Sequence, residues 1–208
     1  MVGHAFPLHP TLIPSILADY ASAGTYMFYV PAGKTVIWVE LWGAGGGGAG
    51  GSGGGSETLY QCAYTSGADG IPGGRGKRGG YVSARLEVSP GQMLTIFIGA
   101  GGAPGPGGSG GVFFGAGATG GVNGTAGGVT ALGAFFSANG GSPGQWPYYA
   151  GETDLDVGGI GPQIEYGMGR SGGRGGPNGF GGTGGGGFNG TAGSAGLSGE
   201  AGRILVRG

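Results

Sequence analysis

Glycine recurs at every third residue over long stretches of this chain. From Gly169 to Gly202 the period is broken only at Asn178, and it recurs in residues 45–54, 67–79 and 99–111. A period of three fits neither an α-helix nor a β-strand, but it matches the left-handed polyproline-II helix, which has no internal hydrogen bonds. Its backbone groups must bond to neighbouring chains or to water, and bare glycine edges allow neighbours to approach closely. The sequence therefore predicts a rigid slab of stacked polyproline-II helices.

The amino-acid composition reduces the number of structures that compete with this slab. The chain has 63 glycines among 208 residues and only 9% charged residues, far from ordinary globular usage. A collagen triple helix needs an unbroken register and abundant proline, whereas the glycine phase changes between blocks and the last block contains only Pro177. A disordered glycine-rich coil is the remaining alternative. The aromatic residues, the maintained period and the strand-like segments between the blocks argue against disorder.

Segments with alternating apolar residues separate the glycine blocks. The expected strands are residues 25–30, 35–42, 81–89, 93–98, 129–132, 134–138 and 203–207. A Pro-Ala-Gly turn is expected to join the first two as a hairpin that buries Ile37, Val39 and Leu41, and a Pro-Gly turn to return residues 81–89 as 93–98. The predicted fold class is mainly β: a small antiparallel β-sandwich of about six strands combined with stacked polyproline-II (polyglycine-II-like) glycine-rich helices.

The first 24 residues differ from the rest of the chain. They contain both histidines, three prolines and a short apolar stretch. The spacing of Leu12, Ile13, Ile16 and Leu17 allows one amphipathic helix that ends before Gly24. These four side chains either contact a partner chain or pack on the domain. The predicted organisation is an N-terminal attachment segment, residues 1–24, and a glycine-rich β/polyproline-II domain, residues 25–208.

Signals for chemistry are weak. A net charge of −1 provides no electrostatic footprint for nucleic acid. The two histidines have no serine or cysteine nucleophile at a motif spacing, so we expect no enzyme and no cofactor. The acidic residues 152–156 lack the remaining ligands of a calcium loop, and whether they bind a cation stays open. No apolar run reaches the length of a membrane span, and the first residues lack a signal-peptide pattern.

Three pieces of the sequence resemble the glycine-rich domain of bacteriophage tail-fibre and tail-tip proteins. They are YVPAGKTVIWVELWGAGGGGAGG (residues 29–51), GGYVSARLEVSPGQMLTIFIGAGG (residues 79–102) and AGRILVRG (residues 201–208). The order of the pieces is similar too, and it covers about residues 26–208. The alternation of glycine blocks with aromatic segments is also similar in design to the tip adhesins of T-even-like phage long tail fibres. In those adhesins, stacked polyproline-II helices present loops to a bacterial receptor.

The resemblance implies a non-enzymatic virion protein that binds a glycan or an outer-membrane protein on a host cell. Its N-terminus would join a fibre or virion protein, and it could form a homo-oligomer such as a trimer. Aromatic side chains offer rigid contact area, so we expect Trp146, Tyr148, Tyr149 and Tyr166 to contact the receptor. The alternative is a structural virion or extracellular filament subunit that assembles through its glycine tracts. Ice binding would need a regular face of small residues, of which only a fragment is present.

The slab interpretation also predicts the environment of the last glycine block. We expect its glycines to face another glycine tract in polyproline-II conformation, because any Cβ there would push the helices apart. The glycines in question are Gly190, Gly193, Gly196, Gly199 and Gly202.

Overall fold

A computed structural model describes residues 14–56, 58–60, 63–65, 67–112, 116–146, 159–160 and 189–208. Within these residues the chain forms strands and no helix, so the prediction of a mainly β, antiparallel fold is confirmed. In chain order the strands are β1 Ile16–Tyr20, β2 Gly24–Tyr29, β3 Val36–Trp42, β4 Thr58–Tyr60, β5 Ala63–Thr65, β6 Tyr81–Glu87, β7 Met93–Ile98, β8 Thr130–Leu132, β9 Phe136–Ala138, β10 Gly159–Ile160 and β11 Arg203–Arg207.

Two antiparallel sheets contain most of the strands. The first sheet has the order β1-β11-β3-β6, the second has the order β10-β9-β8-β7-β2, and β4 pairs with β5. Alternate residues of β3, β6 and β7 point into one shared core, as their apolar alternation predicts. The buried core residues are Phe28, Val30, Ile37, Val39, Leu41, Val82, Ala84, Val88, Leu94, Ile96, Ile98, Leu132, Ala138, Ile204 and Val206.

β2 and β3 lie in different sheets, and so do β6 and β7. β2 pairs with β7, whereas β3 pairs with β6 and β11. The predicted hairpin of residues 25–30 with 35–42 is therefore wrong, and so is a direct return of residues 81–89 as 93–98. Both turns cross between the sheets and bond to each other, since the Val30 N–H donates to the Gln92 carbonyl at 2.9 Å. Crossing lets each strand direct its apolar face at the opposite sheet, which a flat hairpin cannot do.

Residues 16–20 form strand β1 in place of the predicted helix. β1 pairs with the terminal strand β11, with a register shift between Ile16 and Ala18. The edge of β11 offers backbone partners to an extended segment, and this long-range pairing overrides the local spacing of four. Leu17 packs against the core, whereas Ile16 is 59% exposed. Leu12 and Ile13 lie outside the described residues.

Six glycine tracts continue the strands at one end of the two sheets. They are tract I (43–55), tract II (67–80), tract III (99–111), tract IV (116–128), tract V (139–145) and tract VI (190–202), and together we call them the glycine slab. Tracts I, III and V follow β3, β7 and β9, whereas tracts II, IV and VI precede β6, β8 and β11. Ser15 and Gly208 lie at the opposite end of the sheets, where the Gly208 N–H donates to the Ser15 carbonyl at 3.0 Å.

Candidate recognition surface

Tract I is the central element of the glycine slab. Every backbone N–H from Gly43 to Gly55 donates a hydrogen bond of 2.7 to 3.2 Å. Successive donors reach tract II, tract IV and tract VI in turn and then repeat, so the partner changes with a period of three residues. Carbonyls of tract I accept hydrogen bonds from tract III and tract V. The tract is thus satisfied by backbone groups on all sides, which is what a buried segment without a regular sheet partner requires.

Tract I bonds to all five other tracts and is the richest in small residues. In tract I, residues 43–54 are buried, and every residue there is glycine, alanine or serine. Tract III contacts three other tracts, and glycine occupies two of its three phases apart from Pro104. Tract VI bonds to tracts I and III and keeps glycine at every third residue. Small residues at all three phases are therefore a sequence signal for the central tract.

The five periodic glycines of tract VI lie against other backbone segments. A Cβ on any of them would come closer than 3.0 Å to a neighbouring atom. For Gly190, Gly193, Gly196 and Gly199 that atom is a carbonyl oxygen of tract I, and for Gly202 it is the hydroxyl oxygen of Thr130. The residues between them point outward, and Leu197 is 59% exposed. Tract VI therefore combines a fixed inner edge with side chains that face solvent.

Threonine side chains complete the bonding between tracts III and IV. The Thr125 hydroxyl accepts the Ala103 N–H at 2.7 Å, and the Thr119 hydroxyl accepts the Ser109 N–H at 2.7 Å. Midway between them Pro106, which has no N–H, lies opposite Val122, whose N–H donates to the Pro106 carbonyl at 3.1 Å. Tract IV thus has a threonine hydroxyl opposite each of these two N–H donors of tract III, and it has an apolar side chain opposite Pro106, which has no N–H.

Two connections close the slab at the end away from the sheets. The paired strands β4 and β5 join tract I to tract II. After tract III, the Val112 N–H donates to the carbonyl of Ala116, the first residue of tract IV, at 2.9 Å. The chain after tract V returns to the sheets, because β10 pairs with β9. The end of the slab therefore carries connections whose anchoring residues are fixed by backbone bonds.

Trp146 lies on the flank of the slab. Its backbone N–H donates to the Asn123 side-chain oxygen at 2.6 Å, and a Cβ on Gly120 would run into its ring. The indole Nε1 is buried and has no acceptor among the described residues. Tyr148, Tyr149 and Tyr166 lie outside the described residues, as do residues 152–156. The structure therefore places one of the four expected receptor residues, and it is half-buried against the backbone of tract IV.

Charged and aromatic side chains cover the outer face of the first sheet. The Trp42 ring lies 5.4 Å from the Tyr81 ring and 5.5 Å from the Arg203 guanidinium carbon. Arg203 Nε donates to Asp19 Oδ1 at 2.8 Å, within a bidentate pair. The hydrogen bond from Arg203 lowers the pKa of Asp19, and the Asp19 carboxylate raises the pKa of Arg203. This face is built of paired charges.

The outer face that β2 and β7 form in the second sheet is uncharged and largely apolar. Met27 and Tyr29 of β2 are 49% and 64% exposed, and Met93 and Phe97 of β7 are 53% and 48% exposed. Sequence reasoning missed this face, although the segment GTYMFY of β2 has apolar residues at both phases and no charge. An uncharged strand that is apolar on both sides is the signal that could have found it.

Neither a metal site nor a membrane span occurs in the part of the chain that the structure describes. No group of three or more histidine, cysteine or acidic residues is positioned there to hold a metal ion. No helix in these residues is long and apolar enough to cross a membrane.

The sequence matches no model of a known protein family, and no curated protein matches it. The resemblance to the tail-fibre glycine-rich domain thus depends on the three pieces of sequence given above. These pieces contain β3 with most of tract I, β6 with β7, and β11. They are the junctions at which strands of the two sheets continue into, or follow from, the glycine tracts.

Proposed function

We propose that this protein is a non-enzymatic tip adhesin of a bacteriophage tail fibre that binds a receptor on the surface of the host cell. The receptor is a surface glycan or an outer-membrane protein. The observation that carries the proposal is the bonding of tract I, whose every N–H donates to a surrounding tract. A support of this kind holds its connecting segments through backbone groups, so the side chains of those segments are free to vary with the receptor.

The tracts themselves are proposed to be stacked polyproline-II helices of the polyglycine-II kind. The support is the three-residue repeat of hydrogen-bond partners along tract I, since three residues per turn direct every third N–H to the same neighbour. Glycine at each contact phase lets neighbouring tracts lie closer together than a Cβ at that position would permit. Such a slab needs no large apolar core, which agrees with its exposed alanine, serine and threonine side chains.

Receptor contact is assigned to the aromatic residues Trp146, Tyr148, Tyr149 and Tyr166. Rings of this type stack on the C–H faces of sugars or enter protein pockets and dominate the energy of many interfaces. Trp146 has a second role, because its ring packs on Gly120. The N-terminal residues Leu12, Ile13 and Ile16 are assigned to the joint with a fibre or virion protein, whereas Leu17 packs against the core. Ile16 lies beside the Gly208 end of the sheets, away from the slab.

The test uses the labelled full chain and a panel of Gram-negative strains with defined surface polysaccharides and outer-membrane proteins. We expect saturable binding to at least one strain, and loss of that binding when Tyr148, Tyr149 and Tyr166 are replaced by alanine together. The matched control replaces Tyr29, an exposed tyrosine of β2, by alanine and retains binding. Melting temperatures of both variants should equal that of the wild type.

Two results would contradict the adhesin proposal. One is equal binding by the triple variant and the wild type, which would show that the three replaced tyrosines do not contact the receptor. The other is an absence of binding to every strain together with concentration-dependent filaments in electron micrographs. The second result favours the structural virion or filament subunit, which would assemble through the glycine tracts.

A further inference from the structure

Strand β2 forms one edge of the second sheet. It pairs on one side with β7, and it is the last strand in the sheet order. β1, which precedes it in sequence, bonds to β11 of the first sheet. Among the described residues, no backbone bond reaches the open side of β2. An edge of this kind presents a row of N–H and C=O groups to another chain.

The geometry identifies the backbone groups that face this open side. Val30 bonds to Gln92 and Gly91, so even-numbered residues of β2 point their backbone groups at β7. The N–H and C=O groups of Thr25, Met27 and Tyr29 therefore point away from the sheet. Their side chains are also the exposed ones of this strand. One set of residues thus combines free backbone groups with largely apolar, uncharged side chains.

Natural edge strands are usually protected by charges, proline, bulges or short length, and the other edge strands of the two sheets, β1, β6 and β10, have such protection. β1 has Asp19 and a register shift, and β6 has Arg85 and Glu87. β10, at the far edge of the second sheet, is two residues long. β2 has six residues with no charge and no proline, and its register with β7 is unbroken from Gly24 to Tyr29. It lacks each protective device.

We propose that β2 pairs antiparallel with β2 of a second copy of this chain about a two-fold axis at Met27. In that register Met27 lies opposite the second Met27, and Thr25 lies opposite the second Tyr29. All three pairs exchange backbone hydrogen bonds, and no like charges meet. An isologous contact requires a surface that is complementary to itself, which an uncharged strand with small, flexible and aromatic side chains satisfies. This inference does not depend on the proposed adhesin function.

The experiment measures the mass of the full chain by sedimentation over a wide concentration range. We expect a monomer–dimer equilibrium for the wild type. Met27→Lys places two ammonium groups face to face on the axis and should weaken dimerisation by about tenfold or more. Met27→Glu should do the same, and an equimolar mixture of the two variants should recover association. Because Met27 is exposed, both variants should keep the wild-type melting temperature.

Thr95→Lys is the matched control. Thr95 is exposed on the same face but belongs to β7, so edge pairing should tolerate the charge whereas face-to-face packing should not. Hydrogen exchange of the dimer should slow the amides of Thr25, Met27 and Tyr29 and leave Tyr26 and Phe28 unchanged. A chain that stays monomeric at the highest concentration overturns the proposal. So does an association that survives Met27→Lys, that fails to recover in the mixture, or that Thr95→Lys abolishes.

Discussion

The two sheets and the glycine slab are held together by opposite means. Between the sheets the contact is made by large side chains such as Ile37, Leu41 and Ile96, none of which is accessible to solvent. Between the tracts it is made by backbone groups, and tract I contributes no side chain larger than that of Ser52. Removing atoms should therefore destabilise the sheets, and adding atoms should destabilise the slab.

This difference shows at which positions each region tolerates substitution. A sheet strand accepts substitution on its outer face and resists it on its inner face, with a period of two. A tract accepts substitution only at phases that meet no neighbour, with a period of three. Tract I has no such phase, whereas tract VI has two phases open to solvent.

The largest effect is expected from a cavity in the core of the sheets. Ile96→Ala removes a fully buried side chain and should lower the free energy of unfolding by about 2 to 5 kcal/mol. Thr95→Ala, on the exposed face of the same strand, should change it by less than about 0.5 kcal/mol. Denaturant unfolding followed by tryptophan fluorescence measures both. Equal losses would mean that burial does not separate the two faces of β7.

The second effect comes from adding a single methyl group to the slab. A Cβ on Gly50 would run into the backbone at Pro106, so Gly50→Ala should cost about 1 to 3 kcal/mol or more. Gly196→Ala should cost less, since tract VI lies at the outside and can move away. Ser198→Ala, at an exposed phase of tract VI, serves as the neutral control. If Gly50→Ala is as stable as the wild type, the slab is not close-packed.

A smaller effect tests the hydroxyl acceptors between tracts III and IV. Thr125→Val keeps the shape of the side chain and removes the acceptor of the Ala103 N–H, which should cost about 1 kcal/mol. Thr125→Ser retains the hydroxyl and should recover most of this loss. The difference between the two melting temperatures measures the bond. A valine variant as stable as the wild type would show that the hydroxyl acceptor contributes nothing to stability.

The smallest effect concerns the ion pair of Asp19 and Arg203 on the first sheet. Because the folded state lowers the pKa of Asp19, the pair stabilises the fold above the unfolded pKa of about 4 and loses this contribution as the pH falls through the lower, folded value. Both side chains are partly exposed, so solvent screening limits the contribution to below about 1 kcal/mol. Arg203→Gln should flatten the stability profile in acid, whereas Arg85→Gln should not. An unchanged profile would show that the pair is not formed in solution.

Local patterns predicted the local features of this fold and little of the candidate surface. Alternation identified the buried residues of β3, β6 and β7, and the glycine period marked the positions that a Cβ cannot occupy. It did not reveal that Trp146 packs on Gly120, because these residues meet only when tracts IV and V lie side by side. Nor did it reveal the open edge of β2, since an edge is defined by the strands that do not bind to it.

The sequence by itself determined which residues turn inward in β3, β6 and β7 and which phase of tracts II, III and VI must be glycine. Both are properties of spacing along an extended backbone, and no distant contact is needed to set them. Only the tertiary structure decided that β2 pairs with β7, that residues 16–20 extend along β11 rather than coil, and that tract I lies at the centre. Those outcomes depend on which backbone donors and acceptors remain free elsewhere in the chain. A local sequence pattern does not contain this information.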